Sequence, residues 1–168
     1  MELETNKLSK RFGGLMAVNN VDLKLTKGEI VGLIGPNGAG KTTFFNCVAG
    51  VFPPTSGKIY LDGKDITFTP PHRICQMSIA RTFQIVQTFR QMTVLENVMV
   101  GAFTRETNFK KARLKAEYVL DLTGMTDKQN RLASELTIAD LKRLEISRAL
   151  ATDPQILLLD ESMAGLNP

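Results

Sequence analysis

Hydrophobic and polar positions alternate in the first third of the chain and predict a small sheet. Residues 2–12 indicate a strand, which the Gly13-Gly14 turn closes. Residues 17–25 carry apolar side chains at alternate positions, a pattern typical of a half-buried strand. Residues 58–66 show the same alternation, and their Asp62-Gly63 pair is a strong hairpin signal.

The second half of the chain carries the period and the end signals of helices. Thr93 and Glu96 have the spacing of a capping box and open a helix. The stretch Asn108–Thr123 collects apolar residues on one face, and its basic residues form either a solvated face or a docking surface for a partner or anionic lipid. Thr137 is placed to cap a helix that runs through Leu150.

A continuous apolar run leads into a glycine-rich loop. Residues 29–34 predict a buried strand, residues 43–49 predict a helix, and Gly35–Thr42 between them fits the pattern G-x-x-x-x-G-K-[S/T]. Backbone N–H groups of such a loop and of the following helix converge on phosphates. Lys41 is then placed to reach the β- and γ-phosphates, and the Thr42 hydroxyl to ligate Mg²⁺. The structural alternative is a glycine-rich turn that binds nothing.

A second apolar run, at residues 155–161, ends in two carboxylates. It predicts a fully buried parallel strand whose C-terminal end faces a ligand crevice. Asp160 would hold Mg²⁺ there, and Glu161 would polarise an attacking water. The alternative, a pair of acids on a surface turn, is the weaker interpretation because the glycine loop lies upstream.

Three further positions are undecided when they are taken alone. Phe12 could stack on a nucleotide base, although a core or turn phenylalanine is the commoner case. Gln84 ends a strand predicted over residues 79–84 and could bind Mg²⁺ through its amide oxygen, or be an ordinary loop glutamine. Val18 by itself indicates nothing.

Composition and charge narrow the class of protein. The 168 residues are 43% hydrophobic and 23% charged, as in an ordinary soluble globular domain. No apolar run has the length of a membrane span, and the N-terminus does not read as a signal peptide. Cys47 and Cys75 read as small apolar residues in a cytoplasmic setting. The net charge is +4, but the basic residues are interspersed with acidic ones, so nucleic acid is not an expected partner.

Taken together, these motifs resemble the ATP-binding subunit of ABC transporters over the whole chain. The resemblance is carried by the loop at 35–42, Gln84, the helix start at 136–140 and the strand 156–161. Segments 81–84, 143–151 and 164–168 resemble the branched-chain amino-acid importer subgroup, and a related lipopolysaccharide-export subgroup shares some of them.

The resemblance implies a fold and an assembly. The fold is an α/β P-loop NTPase (RecA-like) core with a small antiparallel β subdomain and an α-helical subdomain at about residues 85–150. Residues 1–168 would form one ATP-binding domain. Two such subunits, as a homodimer or a heterodimer, would pack head to tail around two ATP molecules. Transmembrane permease subunits would dock on the helical surface after Gln84. The expected location is peripheral, on the cytoplasmic face of the inner membrane, with a soluble isolated subunit.

The resemblance also assigns the site residues. The nucleotide contacts would come from Phe12, Val18, Asn37, Gly38, Ala39, Gly40, Lys41, Thr42 and Thr43. Phe12 becomes the adenine-stacking residue, and Glu161 the catalytic residue. The Mg²⁺ ligands would be Thr42, Gln84 and Asp160, with Gln84 also joining the nucleotide to the permease.

The signature loop, which reaches the γ-phosphate on the other subunit, departs from the family pattern. The family usually reads Leu-Ser-x-Gly-Gln/Asp-Gln, whereas this chain has Leu136-Thr137-Ile138-Ala139-Asp140-Leu141. Thr137 keeps the hydroxyl. Ala139 is expected to place a Cβ where backbone approaches phosphate, at a positive φ.

Two other departures concern the last part of the chain. Ser162 stands where the family has proline. The family continues past Asn167-Pro168 into a strand whose histidine contacts the γ-phosphate, and His72 matches a different position. The chain is therefore expected to be truncated after the strand that bears Asp160, with apolar surface left uncovered.

Four hypotheses remain at this point. The first is an ATP hydrolase subunit that powers amino-acid import, and the second is a nucleotide-binding module or fragment without turnover. The third is a soluble ABC protein of regulation or repair, which a large inserted coiled coil would support; none is present. The fourth is an ATPase of the lipopolysaccharide-export type.

Overall fold

The computed structural model describes residues 1–83 and 87–160. These described residues fall into two compact units, and the division lies between Ile74 and Cys75. Along the described residues, no helix combines the length and the apolarity that crossing a bilayer requires.

The first unit is built on a four-stranded antiparallel sheet with the strand order β2-β1-β3-β4. Its elements are β1 (Glu2–Phe12), β2 (Leu15–Thr26), α1 (Lys41–Val48), β3 (Ser56–Leu61) and β4 (Lys64–Asp65), and α2 (Pro71–Gln76) follows them. The central strand β1 buries Leu3 and Leu8, and β3 buries Ile59 and Leu61. The alternation of the sequence therefore predicts these strands and the turn at residues 62–63 correctly.

The predicted strand at residues 29–34 is wrong. This segment is not a strand, and Ile30 and Ile34 are almost fully exposed. After the turn in which the Glu29 amide donates to the Thr26 carbonyl at 3.1 Å, no described strand pairs with the segment. An apolar run becomes a buried strand only where a neighbouring strand accepts its backbone hydrogen bonds.

The second unit packs three helices beside a pair of parallel strands. Its elements are β5 (Ile79–Arg81), α3 (Val94–Ala102), α4 (Phe109–Leu122), α5 (Ile138–Ala151) and β6 (Ile156–Leu158), with short 3₁₀ turns at Thr126–Lys128 and Ala133–Glu135. Strands β5 and β6 pair in parallel, as predicted for the second apolar run, although β6 is only three residues long.

The helices of this unit begin where their capping residues predict. Thr93 and Glu96 form a complete capping box, and Asn108 and Thr137 each accept a backbone N–H three residues ahead. The face predicted for α4 is buried against α3 and α5 in one core, which contains Val94, Val98, Ala112, Ala116, Val119, Leu120, Met125 and Leu144. At Gly101 the helices approach so closely that a Cβ would meet the Arg148 carbonyl.

Candidate functional site

The glycine-rich loop of the first unit runs into the N-terminus of α1. Gly40 precedes the helix in the left-handed region at φ 88°, and a Cβ there would collide with the Ala17 carbonyl. Val18 is buried beside the same position, since its Cγ2 lies 3.5 Å from where that Cβ would stand. The Ala17 carbonyl of β2 therefore leaves no room for a side chain at residue 40, and only glycine fits there.

The Lys41 amine is held against the loop itself. Its Nζ donates to the Gly35 carbonyl at 2.7 Å and to the Pro36 carbonyl at 2.9 Å. The first turn of α1 contains no acidic residue, so the helix carries no carboxylate of its own beside the positive end of its dipole. A lysine ammonium beside a glycine-rich loop at a helix N-terminus is an arrangement that attracts phosphate.

The remaining predicted loop residues share this place in the chain. Asn37, Gly38 and Ala39 form the exposed turn, in which the Ala39 amide donates to the Pro36 carbonyl at 3.2 Å. Thr42 and Thr43 lie in the first turn of α1 and are half-buried. The structure thus brings Val18 and residues 37–43 together in one part of the first unit.

Phe12 ends β1 and is 43% exposed. Its ring meets Phe52 edge-on, with 5.5 Å between the ring centroids and 82° between the planes. The Lys10 amine lies 5.0 Å from the Phe12 centroid. An exposed ring that is held by neighbours can present a face to a planar ligand.

In the second unit, Asp160 follows β6 and is almost completely buried. Arg81 of β5 pairs with it, Nη2 to Oδ2 at 3.3 Å, and the Asp160 amide donates to the Thr82 hydroxyl at 3.3 Å. Burial lowers the pKa of Arg81, and the Asp160 and Glu145 carboxylates oppose that shift. The carboxylate is thus oriented by the neighbouring parallel strand.

Glu145 and Asn97 are two buried polar residues that the sequence interpretation missed. The Glu145 carboxylate accepts the Phe83 amide at 2.9 Å, and burial raises its pKa. Asn97 accepts the Phe89 amide at 2.9 Å and donates to the Phe89 and Thr93 carbonyls at 3.0 and 2.9 Å. A carboxylate between the apolar Leu144 and Ile146 is the only sequence signal that could have found Glu145.

The predicted signature loop forms the start of α5. The Thr137 hydroxyl accepts the Asp140 amide at 3.2 Å and donates to the Asp140 carboxylate at 2.8 Å. Lys128 pairs with the same carboxylate at 2.6 Å, and this hydrogen bond is the main reason that the pKa of Asp140 is lowered. The expected positive φ at Ala139 is wrong, because Thr137 caps the helix and Ala139 lies in its first turn.

Other predicted site residues are not described. Gln84 and Glu161 lie outside the described residues, as do Ser162 and residues 164–168. Among the residues that are described, no group of three or more His, Cys, Asp and Glu side chains could hold a metal ion. His72, for which the sequence predicts no catalytic role, is exposed on α2.

Comparisons with known proteins show which family this chain is similar to. Residues 18–164 match the protein family described as ABC transporter. The high-affinity branched-chain amino acid transport ATP-binding protein LivG of Escherichia coli K12 is 46% identical, over 99% of this chain and 71% of LivG. BraF of Pseudomonas aeruginosa, with the same description, is 44% identical over the same shares. The lipopolysaccharide export system ATP-binding protein LptB of Haemophilus influenzae is 38% identical, over 99% of this chain and 69% of LptB.

Solved structures agree with the sequence comparison. A nucleotide-free ATP-binding cassette from an ABC transporter matches 100% of this chain and 72% of its own, with a TM-score of 0.87 and 33% identity. The dimeric bacterial ABC transporter cassette MJ0796 matches 98% of this chain and 76% of its own, with a TM-score of 0.88 and 26% identity. The predicted α/β P-loop NTPase class is confirmed.

Proposed function

This chain belongs to the ABC transporter family, and we propose that it is the ATP-binding subunit of an importer for branched-chain amino acids or similar solutes. The relatives LivG and BraF are ATP-binding proteins of branched-chain amino acid transport. LptB, the relative from lipopolysaccharide export, is less similar at 38% identity against 46% for LivG. Import of amino acids is therefore favoured over the export alternative.

One observation carries nucleotide binding. Gly40 adopts the left-handed conformation against the Ala17 carbonyl. Helix α1 begins at the next residue, Lys41, and has no acidic residue in its first turn. Such a loop offers backbone N–H groups, the positive helix end and an ammonium group to one anion. A phosphate group uses all three, and because the relatives LivG and BraF are ATP-binding proteins, we take the ligand to be ATP.

The other residues would share the work of hydrolysis. Asn37, Gly38, Ala39 and Thr43 would line the phosphates, and Glu161 would polarise the attacking water. The oxygen donors of Thr42, Gln84 and Asp160 are of the kind that Mg²⁺ prefers. Bound Mg²⁺ would neutralise charge on the β- and γ-phosphates. Arg81 and Thr82 would keep the Asp160 carboxylate oriented.

The proposed assembly contains more than one chain. A second ATP-binding subunit would receive Thr137 and Ala139 at its γ-phosphate, and transmembrane permease subunits would place the complex on the cytoplasmic face of the membrane. MJ0796, which shares the fold, forms a dimer. At the start of α5, hydrogen bonds join Thr137, Asp140 and Lys128, which supports a fixed position for the Thr137 backbone in such a contact.

One observation favours a second candidate, a nucleotide-binding module that does not turn over. Ala139 stands in the signature loop within the first turn of α5. Its Cβ narrows the approach of backbone to a phosphate, compared with glycine. This candidate keeps ATP binding and loses only hydrolysis.

Calorimetric titration with Mg-ATP tests the proposal. We expect the wild-type chain to bind and Lys41→Ala to lose binding, because the alanine has no ammonium group for the phosphates. Lys27→Ala, which removes an exposed lysine from a turn of the same unit, should bind like wild type. Equal binding by Lys41→Ala and wild type would contradict the proposed site.

Steady-state ATPase measurement separates the two candidates. Turnover that Glu161→Gln abolishes supports the importer subunit, whereas binding without turnover in the wild-type chain favours the module.

A further inference from the structure

The loop between α1 and β3, residues 50–55, is tied to α1 at its start. The amides of Val51 and Phe52 both donate to the Asn46 carbonyl near the end of α1, at 2.8 and 3.3 Å. The same helix bears Lys41 and Thr42 at its other end. The start of the loop is therefore fixed relative to the proposed phosphate site.

The end of the loop is tied to β1 by main-chain and side-chain bonds. The Thr55 amide donates to the Ser9 carbonyl at 2.8 Å, and the Arg11 amide donates to the Thr55 hydroxyl at 2.9 Å. The Lys10 amine donates to the Pro53 carbonyl at 2.7 Å. These three bonds hold the loop beside the last residues of β1, where Phe12 stands.

Side-chain contacts also join the loop to the end of β1. Phe52 is half-buried, and its ring packs edge-on against the Phe12 ring at 5.5 Å. The Lys10 amine lies 5.0 Å from the Phe12 centroid and 5.8 Å from the Phe52 centroid, so one cation is shared by both rings. An exposed phenylalanine at a strand end would otherwise move among several rotamers.

We propose that Phe52 is a positioning residue, which with Lys10 fixes the Phe12 ring relative to the phosphate loop so that it stacks on the adenine base of ATP. This inference rests on the proposed function, since it needs a bound nucleotide. Phe52 is not a catalytic residue, because it acts through Phe12. Its contribution is to the affinity for the base and not to that for the phosphates.

Two ligands separate these contributions, namely ATP and inorganic tripolyphosphate, which lacks base and ribose. We expect Phe52→Ala to weaken ATP binding by about three- to tenfold, the size of one aromatic contact. Tripolyphosphate binding should stay unchanged, because it uses only the phosphate loop. Both affinities are measured by calorimetry with Mg²⁺ on the full chain.

Further variants test whether the ring itself matters. Phe52→Tyr keeps the ring and should restore ATP affinity, whereas Phe52→Leu keeps apolar volume and should not. Lys10→Met should weaken ATP more than tripolyphosphate. Phe68→Ala, which removes an exposed ring elsewhere in the first unit, should leave both ligands unaffected.

The outcomes distinguish this inference from the proposed function. A selective loss of ATP affinity in Phe52→Ala and Phe52→Leu, with rescue by Phe52→Tyr, supports it. Equal losses for both ligands, or no loss in a chain that binds both, overturn the inference alone. A wild-type chain that binds neither ligand contradicts the proposed function and the inference with it.

Discussion

At the scale of single residues, Gly38 and Gly40 separate two reasons for glycine in one loop. Both have a positive φ, 81° and 88°, but only a Cβ at Gly40 would meet a neighbour, the Ala17 carbonyl. We expect Gly38→Ala to lower the free energy of unfolding by about 1–2 kcal/mol, the cost of the left-handed conformation alone. Gly40→Ala should cost more than about 3 kcal/mol, because the backbone must also move.

Urea unfolding monitored by circular dichroism measures the difference in the free energy of unfolding between Gly38→Ala and Gly40→Ala. Equal losses in the two variants would show that the Ala17 carbonyl does not constrain the loop.

The sequence predicts the role of a single residue only where that residue belongs to a motif with defined spacing. The glycine-loop motif predicts Lys41 as a phosphate ligand, and the end of an apolar run predicts Asp160 as a Mg²⁺ ligand. Glu145 and Asn97 belong to no such pattern, since their partners are backbone amides that only the folded chain brings near them. Buried polar residues of this kind are visible in the structure and not in the spacing.

At the scale of elements, the start of α5 links stability to pH. The pKa of Asp140 lies below its ordinary value of 3.8, mainly because Lys128 donates a hydrogen bond to the carboxylate. A lowered pKa stabilises the folded chain above pH 3.8, and this stability is lost as the pH falls through the folded pKa.

We therefore expect Asp140→Asn to lower the free energy of unfolding by about 1 kcal/mol at neutral pH, from the weakened cap and ion pair. The difference from wild type should shrink as the pH falls below 3.8, as measured by thermal unfolding at neutral pH and across a series of acidic pH values. Glu135→Gln, at an exposed position just before the same helix, serves as the control. A difference that is independent of pH would contradict the assigned pKa.

Elements are predictable where their signals are local. The caps of α3, α4 and α5 lie within four residues of the groups they bind, so the sequence predicts these helices and their starts correctly. The segment 29–34 needs a partner strand, which its own residues do not specify. For this reason an apolar run predicts a strand correctly at β6, which pairs with β5, and incorrectly at residues 29–34.

At the scale of the whole molecule, exposed apolar residues of the segment 29–34 predict self-association. Ile30 and Ile34 are almost fully exposed, and Val31 is half-exposed. Because these side chains bury little, Ile30→Thr with Ile34→Thr should change the free energy of unfolding by less than about 0.5 kcal/mol. The same double variant should reduce aggregation, since unpaired apolar chain is a template for pairing.

Light scattering at increasing protein concentration measures this effect. Phe68→Ser removes a singly exposed aromatic residue and should leave the scattering unchanged. Aggregation of the double variant at the wild-type concentration would place the adhesive surface elsewhere.

The two hydrogen bonds of Lys41 to Gly35 and Pro36 make the loop a competitor of its own ligand. The ammonium group has three N–H donors and the two carbonyls occupy two of them, so a phosphate gains its full set of contacts only in chains with a released amine. The apparent dissociation constant is the intrinsic one divided by the fraction of such chains. Because side-chain rotation takes picoseconds to nanoseconds, release of the lysine should weaken the apparent affinity without limiting the association rate.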